Sequence, residues 1–210
     1  TLIGDISHQT KTPIANLLLY AQLLGEQDLP PESREYASAL EHQAEKLRFL
    51  IDALVKTSRL ESGVLAMTPK RHGIQQLLDA ASAQAAPGAE AKAITLTVEP
   101  TDLTARFDPK WTAEALYNLV DNAVKYTPAG GAVTLRAVGY ELFCRVDVAD
   151  TGPGIPQSEQ ARIFQRFYRS PSASEAEGVG IGLYLARQIA AGQGGYLKVS
   201  SRPGEGSTFS

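Results

Sequence analysis

The chain has 210 residues, 43% of them hydrophobic, and its 20 basic and 23 acidic side chains leave a formal charge of -3. That length and apolar content suit one large domain or two small ones with a real core, and exclude a disordered chain. No excess of positive charge points to nucleic acid or an anionic membrane surface, no run approaches the roughly 18 apolar residues of a membrane span, and a single cysteine excludes a disulfide framework.

The first sixty-odd residues carry heptad spacing. Counting alternately three and four gives Ile3, Ile6, Thr10, Pro13, Leu17, Tyr20 and Leu24, then Ala37, Leu40, Ala44, Leu47, Ile51, Leu54 and Ser58. Between these seams "GEQDLPPES" interrupts one helix and prepares the next. The spacing predicts an antiparallel hairpin with one face of each seam open, and pairing two hairpins into a four-helix bundle would close it, so a homodimer is expected. With Ile3 at position a, His8 falls at f and faces water. Pro13 lacks an N–H for the carbonyl of Gln9 and its ring presses on that turn, which predicts a bend just after the histidine. The chain starts inside a helical pattern and stops in a strand-like "GSTFS", so it reads as a fragment of something longer.

Past a linker near Gly63 to Pro69 the texture changes. Residues 74–86, 110–126 and 180–191 read as helices; 94–99, 103–107, 132–139, 142–149, 195–200 and 206–209 read as strands. Helices segregated from a largely antiparallel sheet make an α+β sandwich. Cys144, in the apolar "LFCRVDV", reads as a buried strand thiol.

Three stretches here look chemical. In "WTAEALYNLVDNAVKYTP", Asn118 and Asn122 share a helix face with Lys125 adjacent, and two amide oxygens beside a cation suit a hydrated metal bound to phosphates. "VADTGPGIP" ends a strand with Asp150, a carboxylate able to accept from an exocyclic amine, and turns through Gly152 and Gly154, which let backbone approach a ring. "GVGIGLYLARQIAAGQGG" leads Gly178, Gly180 and Gly182 into a helix N-terminus, an arrangement that receives phosphate. The small, polar "RSPSASEAE" before it suits a lid.

Together these stretches resemble the cytoplasmic kinase core of a bacterial two-component sensor histidine kinase: "SHQTKTP" is similar to the H box, "NLVDNAVKYT" to the N box, "DTGPGIP" to the G1 box, "IFQRFYR" to the F box and "GVGIGL" to the G2 box. The resemblance implies an all-α hairpin over residues 1–64, dimerising and carrying His8 as phosphoacceptor, followed over 70–210 by an ATP-binding α+β sandwich of the Bergerat type. It implies that Asn122 and Asn118 hold Mg2+, that Lys125 touches phosphate, that Tyr126 lies against adenine or ribose, and that Asp150 accepts from the adenine amine beside Gly152 and Gly154. Gly178, Gly180, Gly182 and Leu183 would border the lid, Phe164 and Phe167 would anchor its other end, and either Arg166 or Arg169 would reach the γ-phosphate. The partner implied is a response-regulator receiver domain whose aspartate takes the phosphoryl group from His8, and the parent protein is expected to be a membrane-anchored sensor with this portion in the cytoplasm. Many members place an acidic residue after the histidine; this chain has Gln9, whose amide can fix the imidazole tautomer but cannot act as a base near neutral pH. Thr12 matches the position that orients a water in regulator dephosphorylation, so phosphatase activity is expected. Two other readings stay open here, a regulator-docking module with an inert nucleotide domain and a hydrolytic ATPase of the same fold, although the H-box hairpin opposes the second.

Overall fold

The computed structural model describes the backbone of residues 2–61, 67–170 and 178–210, with side chains described for 10–59 and for the two later stretches. The chain forms two compact units, Thr1–Leu65 and Ala66–Ser210.

The first unit is two helices, α1 (Leu2–Gly25) and α2 (Pro31–Glu61), packed on each other. Pro31 opens α2, where its missing N–H costs nothing. The continuous α1 carries Pro13 in its interior. The helices meet through Ile14 and Leu18 of α1 and Ala44 of α2, with Ile51 alongside, while Ala21, Ala37 and Ala53 are also buried. Ala37, Ala44 and Ile51 belong to the predicted seam of α2, whereas the predicted seam of α1 is corrected. Leu17, Tyr20 and Leu40 are 55%, 62% and 60% exposed, and Leu24, Leu47 and Leu54 are also open. The contact face of α1 lies one position round from the predicted seam, because alanines on α2 admit Ile14 and Leu18 at close range. Lys11 and Asp52 bridge the two helices at 2.8 Å.

The second unit layers helices on a sheet. Its elements are β1 (Lys70–Gly73), α3 (Ile74–Ala91), β2 (Thr95–Val98), β3 (Thr104–Phe107), α4 (Pro109–Tyr126), β4 (Ala132–Gly139), β5 (Cys144–Asp150), the short α5 (Gln157–Gln160), α6 (Gly182–Gly192), β6 (Val199–Arg202) and β7 (Gly206–Phe209). The five-stranded sheet runs β2-β4-β5-β7-β6; among the described residues only β2 and β4 pair in parallel, and β1 and β3 form a separate antiparallel pair. Pleating sends Val133 and Leu135 of β4, Val148 of β5 and Phe209 of β7 into the core with Leu78 of α3, Leu119 and Val120 of α4, and Ala186 of α6. Helix α3 runs five residues past its expected end, through Pro87. Ala85 and Ala89 are both buried in the core, and that packing outweighs the proline. Strand β1 falls at the end of the expected linker and was not anticipated, since "KRHG" has no strand pattern; its partner β3 supplies the order.

On the opposite face of the sheet Asp147 is buried between Arg136 at 3.0 Å and Arg145 at 2.9 Å. Burial raises its carboxyl, but a hydrogen bond from Ser210 and the two guanidiniums win, and it is held below the usual carboxylate range. Cys144 is only partly buried, and that burial pushes its thiol up, away from thiolate chemistry.

Candidate functional site

Helix α4 begins where Asp108 caps it, accepting from the N–H groups of Lys110 at 3.1 Å and Trp111 at 3.2 Å, with Pro109 at the first helical position. Asp108 also accepts from Thr68 N–H at 3.0 Å, and that bond leads in holding its carboxyl below the ordinary range. One face of α4 is buried through Leu116, Leu119, Val120, Ala123 and Val124, so the face bearing Asn118, Asn122 and Lys125 is left half-buried.

The glycine-rich entry to α6 meets that face. Asn118 donates its amide N–H to the carbonyl of Glu114 at 2.8 Å, and its Oδ1 lies 2.8 Å from where a Cβ on Gly182 would stand. A side chain on Gly178 would in the same way stand 2.5 Å from the Lys125 ammonium, which lies 5.2 Å from the Tyr126 ring centre. The first residue of α6 is Gly182, and Ile181 before it offers no side-chain cap, so N–H groups at this end are not taken up by a capping side chain.

Asp150 closes the other side. It is the last residue of β5, on the core-facing alternate of the pleat two beyond Val148, and its Oδ1 accepts from Gly152 N–H at 2.8 Å and Ser207 N–H at 3.2 Å. Burial raises its carboxyl, and those two donors oppose the rise. A Cβ on Gly152 would meet that Oδ1 and, at 3.4 Å, the Tyr126 carbonyl, so the turn and the end of α4 pack backbone to backbone. Gly154, at φ +71°, serves a different contact: a side chain there would overlap the Arg202 carbonyl. Its role is to seat the turn on the β6–β7 connection, where Gly204 N–H also bonds the Pro153 carbonyl at 2.7 Å.

Of the segment expected to be a lid, residues 169–177, residues 171–177 lie outside the described residues, but its flanks are joined. Phe167, at φ +60°, donates its N–H to the Gly180 carbonyl at 2.9 Å, and a side chain on Gly180 would strike the Tyr168 carbonyl. Of the two expected anchors, Phe164 is buried edge-on to Phe209, whereas Phe167 is 52% exposed and is held by its backbone. Leu183 packs on the core from α6. The two arginines part company: Arg166 bonds the Tyr184 hydroxyl at 2.9 Å and stacks on that ring, while Arg169 acts on Tyr126, pulling its hydroxyl down against the larger upward push of burial.

The side chains of His8 and Gln9 lie outside the described residues; the backbone there is helical, and Thr12 is exposed one turn further along α1. Motif reading missed Ser207, which shares the Asp150 carboxylate, and Lys92, whose ammonium bonds the end of α4; neither belongs to a box. A mostly apolar cavity of about 480 Å³, lined by Leu77, Leu116, Cys144, Val146 and Leu197, touches the N box through Leu119 and includes none of the candidate site residues.

Residues 1–63 match the His Kinase A (phospho-acceptor) domain, and residues 107–210 match the Histidine kinase-, DNA gyrase B-, and HSP90-like ATPase. The chain belongs to the bacterial two-component histidine kinases. A gyrase-like or chaperone-like ATPase would account for the second match and leave the first unexplained. This histidine kinase core is 34% identical over 210 residues to the sensor protein DivL of Caulobacter vibrioides, covering 99% of this chain and 27% of that protein. It is 29% identical to the sensor-like histidine kinase SenX3 of Mycolicibacterium smegmatis, covering 99% and 55%. Full-length ShkA, solved in complex with AMPPNP, superposes with a TM-score of 0.83 at 30% identity over 99% of this chain and 44% of that one. The kinase core thus spans about a quarter to just over half of the curated relatives it matches.

Proposed function

We propose that this histidine kinase core binds ATP in the second unit, transfers the γ-phosphoryl group to His8, and passes it to an aspartate of a response-regulator receiver domain. The observation that carries this reading is the meeting of three separated boxes: Asn118 with Gly182, Lys125 with Gly178, and the Tyr126 carbonyl with Gly152 beside Asp150. Asp150 would take the adenine amine, Tyr126 would lie against the base or ribose, and the N-terminus of α6 with Lys125 would receive phosphate. Arg166, bonded to Tyr184, or Arg169, which acts on Tyr126, would reach the γ-phosphate.

The donor set also fits magnesium. Among the described residues no group of three His, Cys, Asp or Glu forms a metal cage. Amide oxygens on one face of α4, with phosphate oxygens and water completing the shell, are the ligands of a nucleotide-borne hard cation, so Asn122 and Asn118 would hold it. When bound, the ion would offset charge on the phosphates. A neutral ring nitrogen of His8 would attack the γ-phosphorus in line as the bond to the bridging oxygen breaks and ADP leaves, while Gln9 would accept the other ring N–H and orient the ring, that proton passing to water. Thr12, exposed on α1, fits an accompanying phosphatase role toward the regulator.

Incubation with γ-labelled ATP and magnesium tests the reading. Acid-labile, base-stable label that is lost in His8→Ala and in Asn122→Ala is expected; label that persists in His8→Ala would overturn the assignment.

A further inference from the structure

Lys92 closes the turn after α3, outside every box, and its ammonium gathers three carbonyls from the end of α4: Val124 at 2.9 Å, Lys125 at 2.8 Å and Thr127 at 2.6 Å. Three N–H donors meet three acceptors, which is the full capacity of the group. The backbone of Lys92 is fixed as well, its N–H donating to Ala89 at 3.2 Å and its carbonyl accepting from Gly130 at 3.0 Å. The last carbonyls of a helix have no partner of their own and carry the negative end of its dipole, so a cation at this point satisfies them and suits their charge. The Tyr126 carbonyl, which Lys92 does not take, packs toward Gly152 in the turn after Asp150. The final turn of α4 is thus gripped by the lysine that follows α3 and by the turn that follows β5, and from it project the side chains of Lys125 and Tyr126.

We propose that Lys92 is a positioning residue for nucleotide binding: by holding the carbonyls on either side of Tyr126 it fixes the directions in which Lys125 and Tyr126 point. The proposal rests on the reading that those two side chains line the nucleotide site. A lysine that only capped a helix would contribute stability and leave the affinity of the folded protein unchanged.

The test measures binding of trinitrophenyl-ATP with magnesium, and its displacement by ATP, to the full 210-residue chain well below its melting temperature. Lys92→Met, which keeps the stem and deletes the donors, is expected to weaken binding about tenfold, as lost bonds from a charged donor should. Lys92→Arg should recover part of the loss. Placed on a Lys125→Met background, Lys92→Met should cost about threefold or less, since the two act through one contact. If Lys92→Met does not fold, Lys92→Gln is measured instead and an intermediate loss is expected. Wild-type affinity in either variant, or a loss that adds in full to that of Lys125→Met, overturns the proposal. Failure of the wild-type chain to bind the probe at all overturns the site reading itself.

Discussion

Asp150 is held between opposing demands. Its place on the core-facing side of β5 strips it of water, and two backbone N–H groups only partly restore what is lost, so its carboxyl is raised. Between the ordinary and the raised value the folded chain holds more proton than the unfolded one, so this group's contribution to stability declines as pH rises through that window. Nucleotide binding should run the other way, because the ionised oxygens accept more strongly from an amine. Affinity for the ATP analogue should therefore fall on acidification, beginning above the usual carboxylate range, and Asp150→Asn should flatten that dependence while weakening binding by about tenfold. A wild-type affinity indifferent to pH over that range would contradict this account.

At the scale of elements, α4 carries Asn118, Asn122, Lys125 and Tyr126 of the proposed site, and it is fixed at both ends. Asp108 caps its start and also holds Thr68, while the Gln193 side chain accepts from Asp108 N–H at 2.6 Å, so the helix entry is joined to the turn after α6. Asp108→Ala is expected to destabilise the second unit by about 1–2 kcal/mol, the usual range for a lost cap. It should show as a lower urea midpoint for that unit's transition. Because the folded Asp108 carboxyl lies below the ordinary range, its stabilisation is present above that range and is lost as pH falls through the folded value, so wild type and Asp108→Ala should converge in acid. Equal midpoints at neutral pH would show that the other bonds at this corner suffice.

For the whole molecule, the open apolar side chains of the hairpin bear on assembly. Leu17, Tyr20 and Leu24 on α1, with Leu40, Leu47 and Leu54 on α2, remain exposed in a single chain. An array of that extent is uncommon on a free surface and suits the homodimer expected from the heptad spacing. Replacing Leu17 and Leu24 together by glutamate should give a monomer in light scattering while nucleotide binding by the second unit persists. A dimer that withstands the change would place the interface elsewhere.

The sequence alone determined the order of the helices and most of the strands, the division into a helical hairpin and an α+β unit, and the five boxes, because periodicity, turn residues and short motifs are local properties of a chain. It singled out Asp150, Asn118 and Lys125 as candidates without showing which glycine each would face. The hairpin's inner face was misplaced by one position on α1, since a heptad count weighs Leu17 and Ile14 alike until the alanines of α2 reveal how closely the helices approach. Proline at position 87 marked a helix end that burial of Ala85 and Ala89 overrode. Lys92 was invisible for a related reason: a lysine after a helix looks like any surface cation, and only folding brings it beneath three carbonyls more than thirty residues away. Contacts of that kind depend on where two distant segments meet in space, and no local pattern records it.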